Sequence, residues 1–127
     1  MDRTLNVLLV EDEPLIALTL VDLLEELGHT AVEAGSGAAA LTAFGRGEGI
    51  DILITDLGLP DIPGDELARL CREIRQDLPV LFATGHLSPG PGEEETADPP
   101  TVRMTKPFQL IDLQRALQRL CVDLPAP

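Results

Sequence analysis

Val80-Leu81-Phe82-Ala83-Thr84-Gly85 is an apolar run that stops on a hydroxyl and a glycine. Two other runs stop on acids: Ile52-Leu53-Ile54-Thr55-Asp56 and Val7-Leu8-Leu9-Val10-Glu11-Asp12. Continuous aliphatic stretches of this length read as strands buried on both faces, as in a parallel sheet. Parallel strands share one carboxyl edge, so Glu11, Asp12, Asp56 and Thr84 are expected to meet there. A fourth run, Val102-Arg103-Met104-Thr105-Lys106-Pro107, brings Lys106 to the same edge.

Outward from these runs the chain alternates between strand and helix. Pro14 suits a first helical turn, and Leu15, Leu18, Val21 and Leu24 recur at three-residue spacing, with Leu20, Leu23 and Leu27 widening the stripe. This predicts an amphipathic helix over Pro14 to Leu27, stopped by Gly28. A strand over Thr30 to Ala34 and an alanine-rich helix from about Ala38 to Arg46 follow. After Asp56 comes a turn-rich loop, Asp56 to Gly64, and a helix from Asp65 to Gln76 with Leu67, Leu70, Cys71 and Ile74 on one face. The last helix, Gln109 to Cys121, packs through Leu110, Leu113, Leu117 and Leu120. Between Gly85 and Pro100 a helix is due, yet the segment holds four prolines, two further glycines after Gly85 and the run Glu93-Glu94-Glu95. Only Glu93 to Ala97 could manage a turn, and it offers no apolar face, so a mobile loop is expected in place of the fourth helix. The fold class is therefore α/β: a three-layer doubly wound parallel sheet of five strand–helix units, flavodoxin-like. Ligands of such sheets sit at the carboxyl edge of the strands.

Composition narrows the function. With 127 residues and 44% apolar content the chain is expected to be one domain, 1–127 with its core at about 4–122, and no output domain. Twenty-two acids against nine Lys and Arg give a net charge of −13, the opposite of what a nucleic-acid backbone or an anionic membrane attracts. No apolar run reaches the ~20 residues of a membrane span, and Met1-Asp2-Arg3-Thr4 is not a signal-peptide pattern, so a cytoplasmic protein is expected. Cys71 and Cys121 lack metal-ligand spacing and read as reduced thiols partly buried on helices. His29 reads as a surface residue between helix and strand.

Singly, Glu11-Asp12 is what a helix cap uses, Asp56 and Thr84 are turn residues, and Lys106 is a solvated lysine. Their joint placement directly after buried strands is specific. Three carboxylates at one edge either keep a proton between them or recruit a cation. Oxygen ligands with open water positions suit Mg²⁺. A carboxylate so neutralised attacks phosphorus to give an aspartyl-phosphate, while a hydroxyl and a lysine stabilise the phosphoryl oxygens.

On Leu8-Leu9-Val10-Glu11-Asp12-Glu13, Ile54-Thr55-Asp56-Leu57-Gly58-Leu59-Pro60 with Gly64, Ala83-Thr84-Gly85 and Lys106-Pro107-Phe108, the sequence resembles the receiver domain of bacterial two-component response regulators, over essentially its whole length. The resemblance implies strand order 2-1-3-4-5. It implies that Asp56 takes a phosphoryl group from a sensor histidine kinase or histidine phosphotransfer protein and passes the signal to a downstream protein or onward as phosphoryl flow. Mg²⁺ would be bound by Asp12, Asp56 and the Gly58 carbonyl, with Glu11 acting through water. Thr84 and Lys106 would contact the phosphoryl group, and the Lys106-Pro107 bond would be cis. Such a domain assists only its own phosphorylation and dephosphorylation and is not an enzyme in its own right.

Two departures stand out. Most receivers carry an aromatic residue three positions before the lysine, where this chain has Arg103, and there is no Tyr or Trp at all. The usual threonine–aromatic switch then has no rotor. Together with the broken fourth helix, Pro79-Val80-Leu81-Phe82-Ala83-Thr84-Gly85 resembles the receiver subgroup nicknamed "FAT GUY", often single-domain proteins. His86 matches a variable position that can tune dephosphorylation. Coupling is expected to run through Gly85 to Pro100, and Glu93 to Glu95 reads as a solvated run or as a segment that orders on modification. The alternative is a receiver-fold interaction domain acting without phosphorylation, against which the intact set Glu11, Asp12, Asp56, Thr84 and Lys106 argues. A flavodoxin-like cofactor protein is disfavoured by the lack of aromatics and of a phosphate loop after the first strand. A hydrolase of the aspartyl-phosphate type would need a cap domain for which 127 residues leave no room.

Overall fold

Residues of one strand sort by parity into two cores, and this fixes the layering. The computed structural model describes residues 4–46, 49–84, 95–97, 100–105 and 109–120. The described chain runs β1 (Asn6–Val10), α1 (Pro14–Glu26), β2 (Thr30–Ala34), α2 (Gly37–Gly45), β3 (Ile52–Asp56), α3 (Gly64–Ile74), β4 (Val80–Thr84), β5 (Glu95–Ala97), β6 (Pro100–Thr105) and α4 (Leu110–Leu120). Val7, Leu9, Ile52, Ile54, Leu81, Val102 and Met104 face α1 and α4 in one core. Their neighbours Leu8, Val10, Leu53, Val80 and Phe82 face α2 and α3 in the other. Each fully buried Leu or Ile contributes about 1.5–3 kcal/mol, so a strand apolar at every position is held from both sides.

Five parallel strands stand in the order β2-β1-β3-β4-β6, the 2-1-3-4-5 arrangement expected. A sixth strand is additional. β5 lies antiparallel on the outer edge of β6, pairing Glu95 with Val102, Thr96 with Thr101 and Ala97 with Pro100. At most a turn of helix was expected over these residues. Pro100 opens β6, a position where a missing N–H costs a strand least. The remainder of the expected loop, 85–94 and 98–99, and with it His86, lies outside the described residues.

β6 differs from the inner strands. Val102 and Met104 are buried under α4, while Thr101, Arg103 and Thr105 on the other face are half-buried. Beside it, a cavity of about 480 Å³ is bounded by Ala68, Arg69 and Arg72 of α3 and by Phe82. Arg72 ties α3 to this edge, donating to the carbonyls of Leu78 (3.1 Å) and Pro100 (2.8 Å) and to the Thr101 hydroxyl (2.9 Å).

The apolar stripe of α1 is rotated from the expected one. Ala17, Leu20 and Leu24 are buried, flanked by Ile16, Val21, Leu23 and Leu27, whereas Leu15 and Leu18 are 80% and 57% exposed. On α3, Leu67, Ala68 and Cys71 are buried but Ile74 is exposed, and on α4 Ala116 joins Leu113, Leu117 and Leu120 in the core. Helix α1 ends in a Schellman arrangement: Gly28 at φ +88° donates to the Glu25 carbonyl and His29 N–H to that of Leu24, both at 2.9 Å.

His29 is not on the surface. It is 9% exposed, and its Nδ1 accepts the Leu5 N–H at 3.0 Å, closing the start of β1. The Schellman turn carries the ring inward, which a helix-to-strand position does not announce. Burial lowers its pKa from the ordinary 6.5. The neutral ring is the form the fold keeps, so this contribution is whole above pH 6.5 and declines as the pH falls through that value towards the lower native one. The midpoint of thermal unfolding is expected to fall between pH 7.5 and 5.5, and the part due to His29 to vanish in His29→Gln. An identical pH slope in the variant, followed by circular dichroism, would contradict this account.

Candidate functional site

Three acids converge where β1 and β3 end. Val10 pairs with Thr55, so the next residues, Glu11 and Asp56, emerge side by side at the carboxyl edge. Carboxylate oxygens of Glu11, Asp12 and Asp56 all lie within 4.8 Å of one another. Among the described residues this is the one group of three His, Cys, Asp or Glu with ligand atoms so close.

Each acid is held differently. Glu11 is 5% exposed; its N–H extends the sheet by donating to the Ala34 carbonyl at 3.1 Å, and its Oε2 accepts the Glu13 N–H at 3.1 Å. Asp12 is exposed, and Asp56 is half-buried with Oδ1 accepting the Gly58 N–H at 3.2 Å. Behind Asp56, the fully buried Thr55 hydroxyl donates to the Asp56 carbonyl at 2.9 Å. A hard all-oxygen donor set at this spacing fits Mg²⁺, with Glu11, Asp12 and Asp56 as the residues that would hold it. A cavity of about 400 Å³ adjoins the acids, bounded by Asp12, Pro14 and Leu18 on one side and Glu33 and Gly35 on the other.

Thr84 closes β4, the strand beside β3, and is half-buried. Its partner in register is Thr105, the residue before Lys106. Lys106 itself, the Lys106-Pro107 bond and Gly85 lie outside the described residues. Arg103 stands opposite Phe82, its guanidinium 5.4 Å from the ring centroid. The aromatic ring of this edge is therefore on β4, two residues before Thr84, and the cation is on β6.

Two features of the loop after Asp56 set the site's geometry. Gly64 lets α3 begin against the end of β3: a Cβ there would stand 2.1 Å from the Asp56 carbonyl oxygen, and Gly64 N–H donates to the Leu57 carbonyl at 2.9 Å. Asp61 reaches across to α2, its Oδ1 accepting the Gly37 N–H at 2.9 Å and its Oδ2 the Ala38 N–H at 2.8 Å. These two amides hold the Asp61 carboxyl below its usual range. Sequence reasoning singled out the glycine but missed Asp61. The available signal was that α2 opens Gly37-Ala38-Ala39-Ala40 with no acid in its first turn, leaving amides for an acid from elsewhere.

The model of the response regulator receiver domain family matches residues 7–118. The response regulator receiver protein CpdR of Brucella abortus (strain 2308) is 31% identical over 117 residues, 92% of this chain and 97% of that protein. The sensor kinase CckA of the same bacterium is 31% identical over 116 residues, 91% of this chain but 12% of the kinase. Among solved structures, a receiver domain from the hybrid histidine kinase CckA matches with a TM-score of 0.73 at 28% identity, covering 91% of this chain and 98% of that one. A response regulator receiver protein from Sinorhizobium medicae WSM419 matches with a TM-score of 0.79 at 26% identity, covering 95% and 97%.

Replacing Gly64 forces the start of α3 away from Asp56. Gly64→Ala is expected to lower stability by about 1–3 kcal/mol, the usual cost of overpacking, as a reduced urea midpoint. An unchanged midpoint would show that the approach at 2.1 Å relaxes at no cost.

Proposed function

This chain belongs to the response regulator receiver domain family of two-component systems, and from that premise we propose that Asp56 is its phosphoacceptor. The observation that carries the proposal is the convergence of Glu11, Asp12 and Asp56 oxygens within 4.8 Å at the carboxyl edge. Asp56 ends its strand, so its carboxylate is presented to a donor while its backbone stays in the sheet. It attacks phosphorus directly; an O–P bond forms as the P–N bond of a phosphohistidine breaks and its electron pair returns to the imidazole. No general base is called on, because no proton leaves the attacking carboxylate.

Mg²⁺ held by Asp12, Asp56 and the Gly58 carbonyl, with Glu11 acting through water, would neutralise charge on the transferring phosphoryl oxygens. The Thr84 hydroxyl and the Lys106 ammonium contact those oxygens in the proposed complex. Buried Glu11, fixed by the Glu13 amide, is enclosed where Asp56 is open to a donor.

The phosphodonor is a histidine kinase or a phosphotransfer protein, and the surface beside the acids suits a protein. Leu18 lines the acidic cavity, and Leu15, one turn before it on α1, is exposed as well. Charging that face with Leu15→Glu is expected to slow transfer from a histidine-phosphorylated protein by about tenfold; an unaltered rate places the contact elsewhere. The domain signals through protein contacts or onward phosphoryl flow, as a cytoplasmic protein in this reading. Among the described residues no helix is long and apolar enough to cross a membrane. A net charge of −13 counts against direct contact with nucleic acid.

Acetyl phosphate labelling read by intact mass tests the assignment. Wild type with Mg²⁺ is expected to gain one phosphoryl group, and Asp56→Asn or wild type with excess chelator none. Labelling that persists in Asp56→Asn would move the acceptor elsewhere. No adduct in wild type with Mg²⁺ bound would favour an interaction domain that does not cycle.

A further inference from the structure

We propose that Asp61 is a positioning residue for the phosphoacceptor site, acting through the loop that carries Gly58; this rests on the reading of Asp56 given above. Seven residues, 57–63, separate Asp56 from α3. Near its start the loop is held by Gly58 N–H on Asp56 Oδ1 at 3.2 Å, and at its end by Gly64 N–H on the Leu57 carbonyl at 2.9 Å. Between these ties Asp61 grips the first turn of α2 with both carboxylate oxygens, at 2.9 Å and 2.8 Å. Ile62 reinforces the grip. A Cβ at Gly37 would stand 2.3 Å from Ile62 Cγ1, so that side chain fills the space a larger residue would take.

The other end of the β2–α2 turn is tied to the acids as well. Glu11 N–H donates to the carbonyl of Ala34, three residues before Gly37. The turn from Ala34 to Ala38 therefore spans the site, bonded to the β1 acid at one end and to the β3 loop at the other. Asp61 closes this strap. Without its carboxylate, Gly58 and the backbone beside Asp56 lose their hydrogen-bonded link to α2 and keep only the packing of Ile62, while Glu11 keeps its bond to Ala34.

An ordinary helix cap would do none of this. α2 already has one, because Ser36 Oγ accepts the Ala39 N–H at 3.1 Å. Asp61 takes the two amides, Gly37 and Ala38, that Ser36 leaves, and what sets it apart from a local cap is its anchor, the loop holding Gly58 beyond β3. Removing either cap loosens α2; removing Asp61 alone also frees the site.

Mn²⁺ binding, followed by the paramagnetic resonance of the free ion, separates these roles when combined with acetyl phosphate labelling of the full chain. Asp61→Ala is expected to weaken Mn²⁺ binding and the limiting labelling rate by about tenfold, the scale for a partner that orients a metal ligand. Asp61→Asn, which keeps one acceptor oxygen, is expected to recover most of the loss. Ser36→Ala is expected to lower the melting temperature and leave both readouts within about twofold of wild type, below that range. Equal effects of Asp61→Ala and Ser36→Ala, or no effect of Asp61→Ala in a protein that labels at Asp56, would overturn the proposal alone. A wild type that neither binds Mn²⁺ nor labels would overturn the phosphoacceptor reading and this inference with it.

Discussion

Like charges held together are what the structure has to sustain. Three carboxylates with oxygens within 4.8 Å repel one another, and the amides of Glu13 and Gly58 that hold two of them do not set the strands side by side. The restraint comes from strands apolar on both faces. Slippage of β1 against β3 by one residue would carry Leu8 and Leu9 into each other's cores. Register is therefore stiff, and with it the side-by-side emergence of Glu11 and Asp56. The repulsion is borne by burial made elsewhere, which is how strained sites persist in folded proteins.

How the acids are held varies with their depth. Glu11 is enclosed and bonded to backbone, Asp12 faces water, and Asp56 lies between the two. A gradient of this kind suits the proposed division of roles, with Glu11 fixed, Asp12 at solvent and Asp56 the acceptor. Gly64 serves the last by letting a helix start against the Asp56 carbonyl, a space no side chain could share.

Much of this was legible in the sequence because buried parallel strands leave an unbroken apolar signature, and the residue after each is displayed at one edge. That reasoning puts Glu11, Asp12, Asp56 and Thr84 at the carboxyl edge, where β1, β3 and β4 end in the structure. It did worse where geometry depends on a rotation of a few tens of degrees. Leu15 and Leu18 match a helical stripe as well as Ala17 and Leu20 do, and only the packed neighbours choose between them. His29 follows a glycine turn whose exit direction decides whether the ring is enclosed. Asp61 bonds backbone amides, which carry no side-chain label for a sequence pattern to match. The strand Glu95–Ala97 is three residues long, too short for a period-two pattern to show.

β5 has a consequence for self-association. Among the described residues no helix covers one face of β6, and β5 alone pairs with its outer edge. Exposed strand edges template pairing with other chains, and natural sheets blunt them with short strands and prolines. Here three residues of antiparallel chain occupy the Pro100–Val102 half of that edge, and the sequence flanks them with Pro99 and Pro100. A margin three residues long, followed by prolines, is one on which other copies find little to extend.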